Sequence, residues 1–453
     1  MLVNFRVDNF LSIDSMLEFS MEAGQSRRHK AHLLVDQNHK LLKFSAIYGA
    51  NASGKSSFIR AIASARDLVL RGAEDIGSSY NKNSKSNKDK ETNFEFEIII
   101  GGSVYSYGFS IILSRKEFVR EWLYDITQGE KTMFVMNKPE LEGGIGKDLI
   151  FDDDVRQRLN VYIEDSLREK HRLFLTSLND GKQVIETKNG EKKFNDIYKW
   201  FEDCLEVLEP GETVSSSYPT ILARGEEYKE DLRSYLDEND TGVIDVVLEP
   251  IESMTGVPAP IEMKLRELII GDAELEKQNG HKNVAINATW KTNKHIFVLR
   301  YADETFAIFE LKFKHRNGVL FTLSEESDGT VRLIELFSIL YRIKEEQKVF
   351  VIDEIDRSLH PLLTYSFVEN FLGKKCNDQL IVTAHEDILL DLRLLRRDEI
   401  WFVEKDNDGN SNLYSLEEFK ERFDKDVQKA YHDGRYGGIP KLPNLYSLIS
   451  EED

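Results

Sequence analysis

The chain has 453 residues, 41% of them apolar and 31% charged, the composition of a globular protein with ample material for a core. Its net charge of −20, from 80 acidic against 60 basic residues, argues against coating a phosphate backbone through overall charge. No apolar run approaches the ~18 residues of a membrane-spanning helix, and the two cysteines, Cys204 and Cys376, make neither a disulfide framework nor a metal pattern.

The two cysteines fit a reducing cytoplasm best, and the opening residues Leu2–Val7 alternate like a strand and lack the basic-then-apolar plan of a signal peptide. Asp8-Asn9 breaks this strand, and Ser15–Met21 reads as a second one. Leu41–Tyr48 is an apolar run ending at Gly49. Ser56–Val69 then shows helical spacing through Phe58, Ile62, Ala65, Leu68 and Val69. The polar stretch Ser78–Glu91 is expected to be a mobile loop. Phe94–Ile100 and Val104–Leu113, joined by Gly101-Gly102, form a hairpin.

From Phe151 the texture becomes helical, over Asp152–Leu175, Phe194–Leu208, Glu226–Leu236, Val243–Met254 and Ile261–Leu275. No heptad pattern is sustained, so a long coiled coil is not expected. Strand texture returns at His295–Tyr301 and Thr305–Phe313. Helices at Arg332–Ile343 and Leu362–Leu372 then alternate with the buried strands Val349–Ile352 and Gln379–Thr383. Short continuous apolar strands alternating with helices predict an α/β fold whose parallel sheet is covered on both faces. Residues 1–150 and 295–453 then read as two halves of one unit, with a helical insertion over 151–294 between them.

Gly49-Ala50-Asn51-Ala52-Ser53-Gly54-Lys55-Ser56 fits G-x-x-x-x-G-K-[ST] without a gap, between an apolar strand and a helix. Glycines permit a tight loop whose N–H groups point at phosphate oxygens, and the following helix adds its positive end. Gly49, Asn51, Ala52, Ser53, Gly54, Lys55, Ser56 and Ser57 are therefore the candidate ATP-binding residues. Lys55 would face the β- and γ-phosphates, and the Ser56 hydroxyl would ligate Mg²⁺.

Val349–Ile352 ends in Asp353-Glu354. Asp353 is placed to hold the Mg²⁺ shell, and Glu354 to orient or deprotonate an attacking water. The same acids could instead cap a helix. The next strand, Leu380–Thr383, leads to Ala384-His385, where His385 could hydrogen-bond a γ-phosphate.

Together these residues resemble the ABC-type P-loop ATPases of the SMC and RecF group. The likeness implies an ATPase head with a mixed sheet, an N-terminal antiparallel β-subdomain and an inserted helical subdomain. Asp353–Pro361 resembles that group's Walker B and D-loop, and Thr383-Ala384-His385 its switch histidine. Ser324–Thr330 stands at the position of the signature motif, with Glu326-Ser327-Asp328-Gly329-Thr330 in place of the usual Leu-Ser-Gly-Gly-Gln. By that resemblance Ser327 and Gly329 would contact nucleotide held by a partner head, and Asp356 would lie at the seam of an ATP-sandwich dimer or higher oligomer.

A narrower likeness covers nearly the whole chain. Phe5–Phe10, the Gly49–Ser56 loop, Glu326–Thr330, Ile400–Lys405 and Gly434–Pro440 are similar to a bacterial family of abortive-infection ATPases. That family implies sensing of a phage trigger and control of a separate effector such as a Toprim nuclease. Related heads carry an arginine where this chain has Leu11, and neither Gln128 nor Gln157 sits in Q-loop texture, so adenine contacts stay unassigned.

Trp401, Phe402 and Tyr414 read as strand core rather than a base-stacking platform. Arg27-Arg28-His29-Lys30 reads as a solvated loop, with nucleic-acid contact the alternative. Asp152-Asp153-Asp154 reads as a helix cap. The expected function is an ATP-driven switch acting on an effector. The alternative is a RecF-like DNA-repair ATPase.

Overall fold

The computed structural model describes residues 1–26, 28–36, 39–209, 226–278, 286–291, 295–342, 347–419 and 426–438. The chain divides into two units: Met1–Pro210 with Glu345–Ile355 and Val368–Asp453, and Gly211–Lys344 with Asp356–Phe367.

The first unit holds two large sheets. A seven-stranded antiparallel sheet runs in the order Glu142–Ile145, Lys131–Asn137, Glu117–Asp125, Ser103–Ile112, Thr92–Ile100, Leu2–Val7, Leu17–Ser20. The second sheet is mixed, in the order Leu205–Leu208, Val349–Ile352, Gln379–Thr383, Phe44–Tyr48, Ile400–Lys405, Ser411–Ser415. Its first five strands are parallel and its last antiparallel. Phe44–Tyr48, Val349–Ile352 and Gln379–Thr383 are buried at every position, which is why they read as continuous apolar runs without alternation. The helix Lys55–Arg71 buries Phe58, Ile59, Ile62, Ala65, Leu68 and Val69 in one core with Phe5, Phe19, Phe94, Phe96 and Trp401. Phe58 meets Phe5 at 5.8 Å and Phe19 at 5.2 Å between ring centroids. The α/β class and the N-terminal antiparallel subdomain are thus as the sequence reads.

Three expectations change. The helical segments after Phe151 do not all belong to an insertion: Asp153–Arg168, Phe174–Asn179 and Lys193–Lys199 lie in the first unit. Phe174, Phe194, Trp200 and Phe201 enter its core, and Leu205–Leu208 supplies an edge strand of the mixed sheet. Val243–Met254 is not a helix. Val243–Ile251 is a strand paired with Thr305–His315, because in Val-Ile-Asp-Val-Val-Leu the β-branched residues favour a pleated surface over a helix.

The polar stretch Ser78–Glu91 is pinned rather than loose. Asn81 and Asn87 are buried; Asn87 Nδ2 donates to Asp14 Oδ1 at 2.6 Å, and Asn9 Nδ2 donates to the Asn87 carbonyl at 3.1 Å. Short amide side chains satisfy backbone groups that a core strand would otherwise have to pair.

The second unit is built on an antiparallel sheet, Val243–Ile251, Thr305–His315, Ile296–Ala302, Ile286–Lys291, with Leu320–Phe321 beside Thr305–His315. Helices Glu226–Glu238 and Asp328–Arg342 meet through Tyr228, Tyr235 and Phe337. No described helix is long and apolar enough to cross a membrane.

One buried acid gives a stability test. Asp378 accepts the backbone N–H of Lys348 at 2.7 Å, and burial pushes its carboxyl up to about 6. Its unfolded value is near ~3.9. The folded state therefore binds this proton more tightly. The stabilisation is complete below the unfolded value and is lost as pH rises through about 6. Asp378→Asn keeps the acceptor without the charge. Its stability relative to the parent is expected to rise between pH ~4 and ~7 by on the order of 2–3 kcal/mol. Denaturant melts of both proteins at the two pH values check this; a difference that does not change with pH overturns it.

Candidate functional site

The carboxyl ends of the parallel strands converge on a cleft of about 870 Å³ lined by Ser12, Asn51, Ala52, Ser53, Gly54, Lys55, Ser56, Ser57, Glu354, His385 and Lys405. Open α/β sheets bind ligands at this edge. Phe44–Tyr48 delivers the loop Gly49–Gly54, and the helix Lys55–Arg71 begins directly after it. The turn needs left-handed backbone at Ala52 (φ 62°) and Gly54 (φ 117°). Gly49 must lack a side chain for another reason: a Cβ there would stand 2.3 Å from the Val403 carbonyl oxygen. Lys55 is buried, its ammonium donating to the carbonyls of Gly49 at 2.7 Å and Ala50 at 3.3 Å.

Two serines far apart in the chain brace the loop. Ser411 Oγ lies 2.6 Å from the Ser53 carbonyl and 2.8 Å from Ser12 Oγ, and Ser12 Oγ donates to Ser57 Oγ at 2.9 Å. The opening residues and the last strand of the mixed sheet thereby hold the loop from outside the motif.

On one flank, strand Val349–Ile352 ends at Asp353-Glu354. Thr383 Oγ1, from the next strand, donates to Asp353 Oδ1 at 2.5 Å and accepts the Glu354 N–H at 2.8 Å. Glu354 is held at φ 49°, a left-handed conformation that costs a non-glycine residue about 1–2 kcal/mol and tends to persist where function demands it. Its carboxylate lies 3.6 Å from His385 Nε2.

Asp353 Oδ2 is buried and has no hydrogen-bond partner among the described residues. A carboxylate oxygen kept dry is costly unless a cation or donor satisfies it, so this donor fits a hard divalent cation. No group of three or more His, Cys, Asp or Glu among the described residues is arranged to hold a metal by itself. Mg²⁺ suits such a site because it takes one or two protein ligands and completes its shell with water and phosphate oxygens.

In the second unit Ser327 Oγ accepts the N–H of Thr330 at 3.1 Å, capping the helix Asp328–Arg342. Gly329 lies where an added Cβ would meet the Ser358 carbonyl at 3.0 Å, so the signature-like and D-loop-like segments adjoin. Ser358 is also left-handed, at φ 60°.

Gly49, Ala52–Ser57, Asn51, Asp353, Glu354 and His385 all belong to the first unit, and Ser327, Gly329 and Asp356 to the second. Ser12, Lys405 and Ser411 carry no site signal in the sequence, and Thr383 stands there only as part of the switch-histidine segment, not as the partner of Asp353. Lys405 stands at the end of a block that carries the family resemblance, and Ser12 follows another, but neither has a motif of its own. Trp401 and Phe402 are buried strand residues as expected, while Arg27 of the basic cluster lies outside the described residues.

A family model described as "AAA domain, putative AbiEii toxin, Type IV TA system" matches residues 44–175 and 216–391, more than half of the chain. The chain belongs to that family. With the phosphate loop between a buried strand and a helix, this AAA family member has the fold of a P-loop ATPase head.

No curated protein sequence matches it. Solved structures similar to it include an SMC head bound to the C-winged helix domain of ScpA, at 12% identity and TM-score 0.39, covering 95% of this chain and 99% of that one. The SMC head domain from Thermotoga maritima matches at 11% identity and TM-score 0.35 over 91% and 98% of the two chains. The Smc head domain with an extended coiled coil bound to the C-terminal domain of ScpA, derived from Pyrococcus furiosus, matches at 14% and 0.35 over 96% and 98%.

Proposed function

We propose that this chain binds and hydrolyses ATP with Mg²⁺ between two heads, and that the cycle is the switch of a cytoplasmic anti-phage defence system controlling a separate effector. The observation that carries the reading is the meeting in one cleft of the phosphate loop, Glu354 and His385, beside the unsatisfied buried oxygen of Asp353.

In this reading Gly49–Ser57 cradles the phosphates and Lys55 neutralises their charge. Ser56 and Asp353 hold Mg²⁺, which when bound withdraws charge from the phosphate oxygens. Glu354 takes the proton of the attacking water, and His385 reports the γ-phosphate. Ser327 and Gly329 complete the site of a partner head, with Asp356 at the seam. Two incomplete sites that finish each other make closure depend on nucleotide, and hydrolysis then reopens the pair.

The family's description as a putative AbiEii toxin of a Type IV TA system supports defence over repair, as does the net charge of −20. The motif blocks are similar to AriA, the ATPase of the PARIS anti-phage system, whose effector is a separate Toprim nuclease. A phage protein as trigger follows from the same likeness.

Purification from the native locus with and without ATP, followed by mass spectrometry, tests this. A stoichiometric nuclease or toxin retained or released according to nucleotide is expected. A chain that purifies alone, with turnover stimulated by gapped duplex DNA and a steep salt dependence, overturns it in favour of a RecF-like role.

A further inference from the structure

The strand order of the mixed sheet gives the cleft two different flanks. Moving across it, Val349–Ile352 carries Asp353 and Glu354, Gln379–Thr383 carries His385, Phe44–Tyr48 carries the phosphate loop, and Ile400–Lys405 comes next on the far side. All four are parallel, so all four present their carboxyl ends to the cleft. The acid, the histidine and the candidate cation site lie together on one flank. A γ-phosphate attacked there leaves the rest of the nucleotide to extend toward the other flank.

That other flank carries an uncommitted cation. Lys405 ends the strand Ile400–Lys405, whose Phe402 is in register with Tyr48, so Lys405 lies past the end of the neighbouring strand Phe44–Tyr48, at the level of the loop. It is exposed, and its ammonium has no ion-pair partner among the described residues. The chain there is held closely: the Val403 carbonyl abuts Gly49, and Lys405 pairs with Ser411, whose hydroxyl reaches the Ser53 carbonyl. The Lys405 backbone is therefore tied to the phosphate loop through the strand and Ser411. Ser12 forms the neighbouring wall.

We propose that Lys405 is a further nucleotide-binding residue, engaging the nucleoside diphosphate portion of ATP from the flank opposite Glu354. The inference rests on the ATP reading of the cleft. It adds to the site a residue from outside the Gly49–Ser57 window, on the flank away from Glu354.

The experiment is a calorimetric titration of the full chain and of Lys405→Gln and Lys405→Arg with Mg-ATP and Mg-ADP. Lys405→Gln is expected to weaken ATP and ADP alike by about 10-fold, the scale of one charged hydrogen bond, and Lys405→Arg to hold within a few-fold. Equal affinity of Lys405→Gln and parent for both nucleotides overturns the inference. So does a loss confined to ATP, because that places Lys405 at the γ-phosphate. If the parent itself binds neither nucleotide, the ATP reading of the cleft falls instead, so the two failures are distinct. Lys405 is exposed, and an unchanged melting temperature without nucleotide separates lost binding from lost folding.

Discussion

Glu354→Gln is expected to bind ATP within a few-fold of the parent while turnover falls by about 10²–10⁴, the range of a positioned general base. The substitution keeps the length of the side chain and the backbone N–H bonded to Thr383 Oγ1 at 2.8 Å, so the loop geometry has no reason to change. What it removes is the carboxylate 3.6 Å from His385 Nε2, the group proposed to accept the proton of water. A second variant separates chemistry from folding. At φ 49° a glycine relieves strain that glutamate must bear, so Glu354→Gly is expected to abolish turnover yet leave the fold as stable or stabler by up to ~1 kcal/mol. Phosphate release under saturating ATP, with melting curves of both variants, reads the two effects. Hydrolysis by Glu354→Gln at the parental rate would show that another group takes the proton.

The parts of this site legible in the sequence are those in which neighbouring residues act together. The phosphate loop is one continuous turn, so its glycines, Lys55 and Ser56 stand in a single window. Asp353-Glu354 and His385 follow apolar strands short enough to be recognised as buried. The rest depends on pairing between distant segments. Ser12 and Ser411 meet only because the first residues and the outer strand of the mixed sheet both reach the loop. Lys405 joins the cleft because Ile400–Lys405 pairs with Phe44–Tyr48, and nothing in either strand announces the other.

The buried pins were equally silent. Glu121 accepts the N–H groups of Phe174 and Leu175, at 2.5 and 3.0 Å, from inside the core, a position that composition alone would assign to solvent. Val243–Ile251 misled by a different route, since its apolar residues fit both periods and only its sheet partner decides between them.

Lys55→Ala is expected to lower ATP affinity by ~100-fold or more and so to lose turnover by a route different from that of Glu354→Gln. Lys55 is buried at the base of the loop, with its ammonium on the Gly49 and Ala50 carbonyls. Those bonds hold the charge inside the loop before any ligand arrives, so little side-chain entropy remains to be lost on binding. Phosphate oxygens entering the loop would meet a positioned cation and the N–H groups at the start of the helix. Removing the ammonium leaves only the neutral donors, and the charged hydrogen bonds it supplies are worth up to ~3 kcal/mol. Arginine is not a conservative replacement, since its planar fork is larger and cannot reproduce a point charge under the loop. Equilibrium binding of a fluorescent ATP analogue separates the two lesions. Glu354→Gln should bind without turning over, and Lys55→Ala should fail at binding. Binding by Lys55→Ala within two-fold of the parent would mean that the loop does not grip a triphosphate, and the assignment of the cleft to ATP would fall with it.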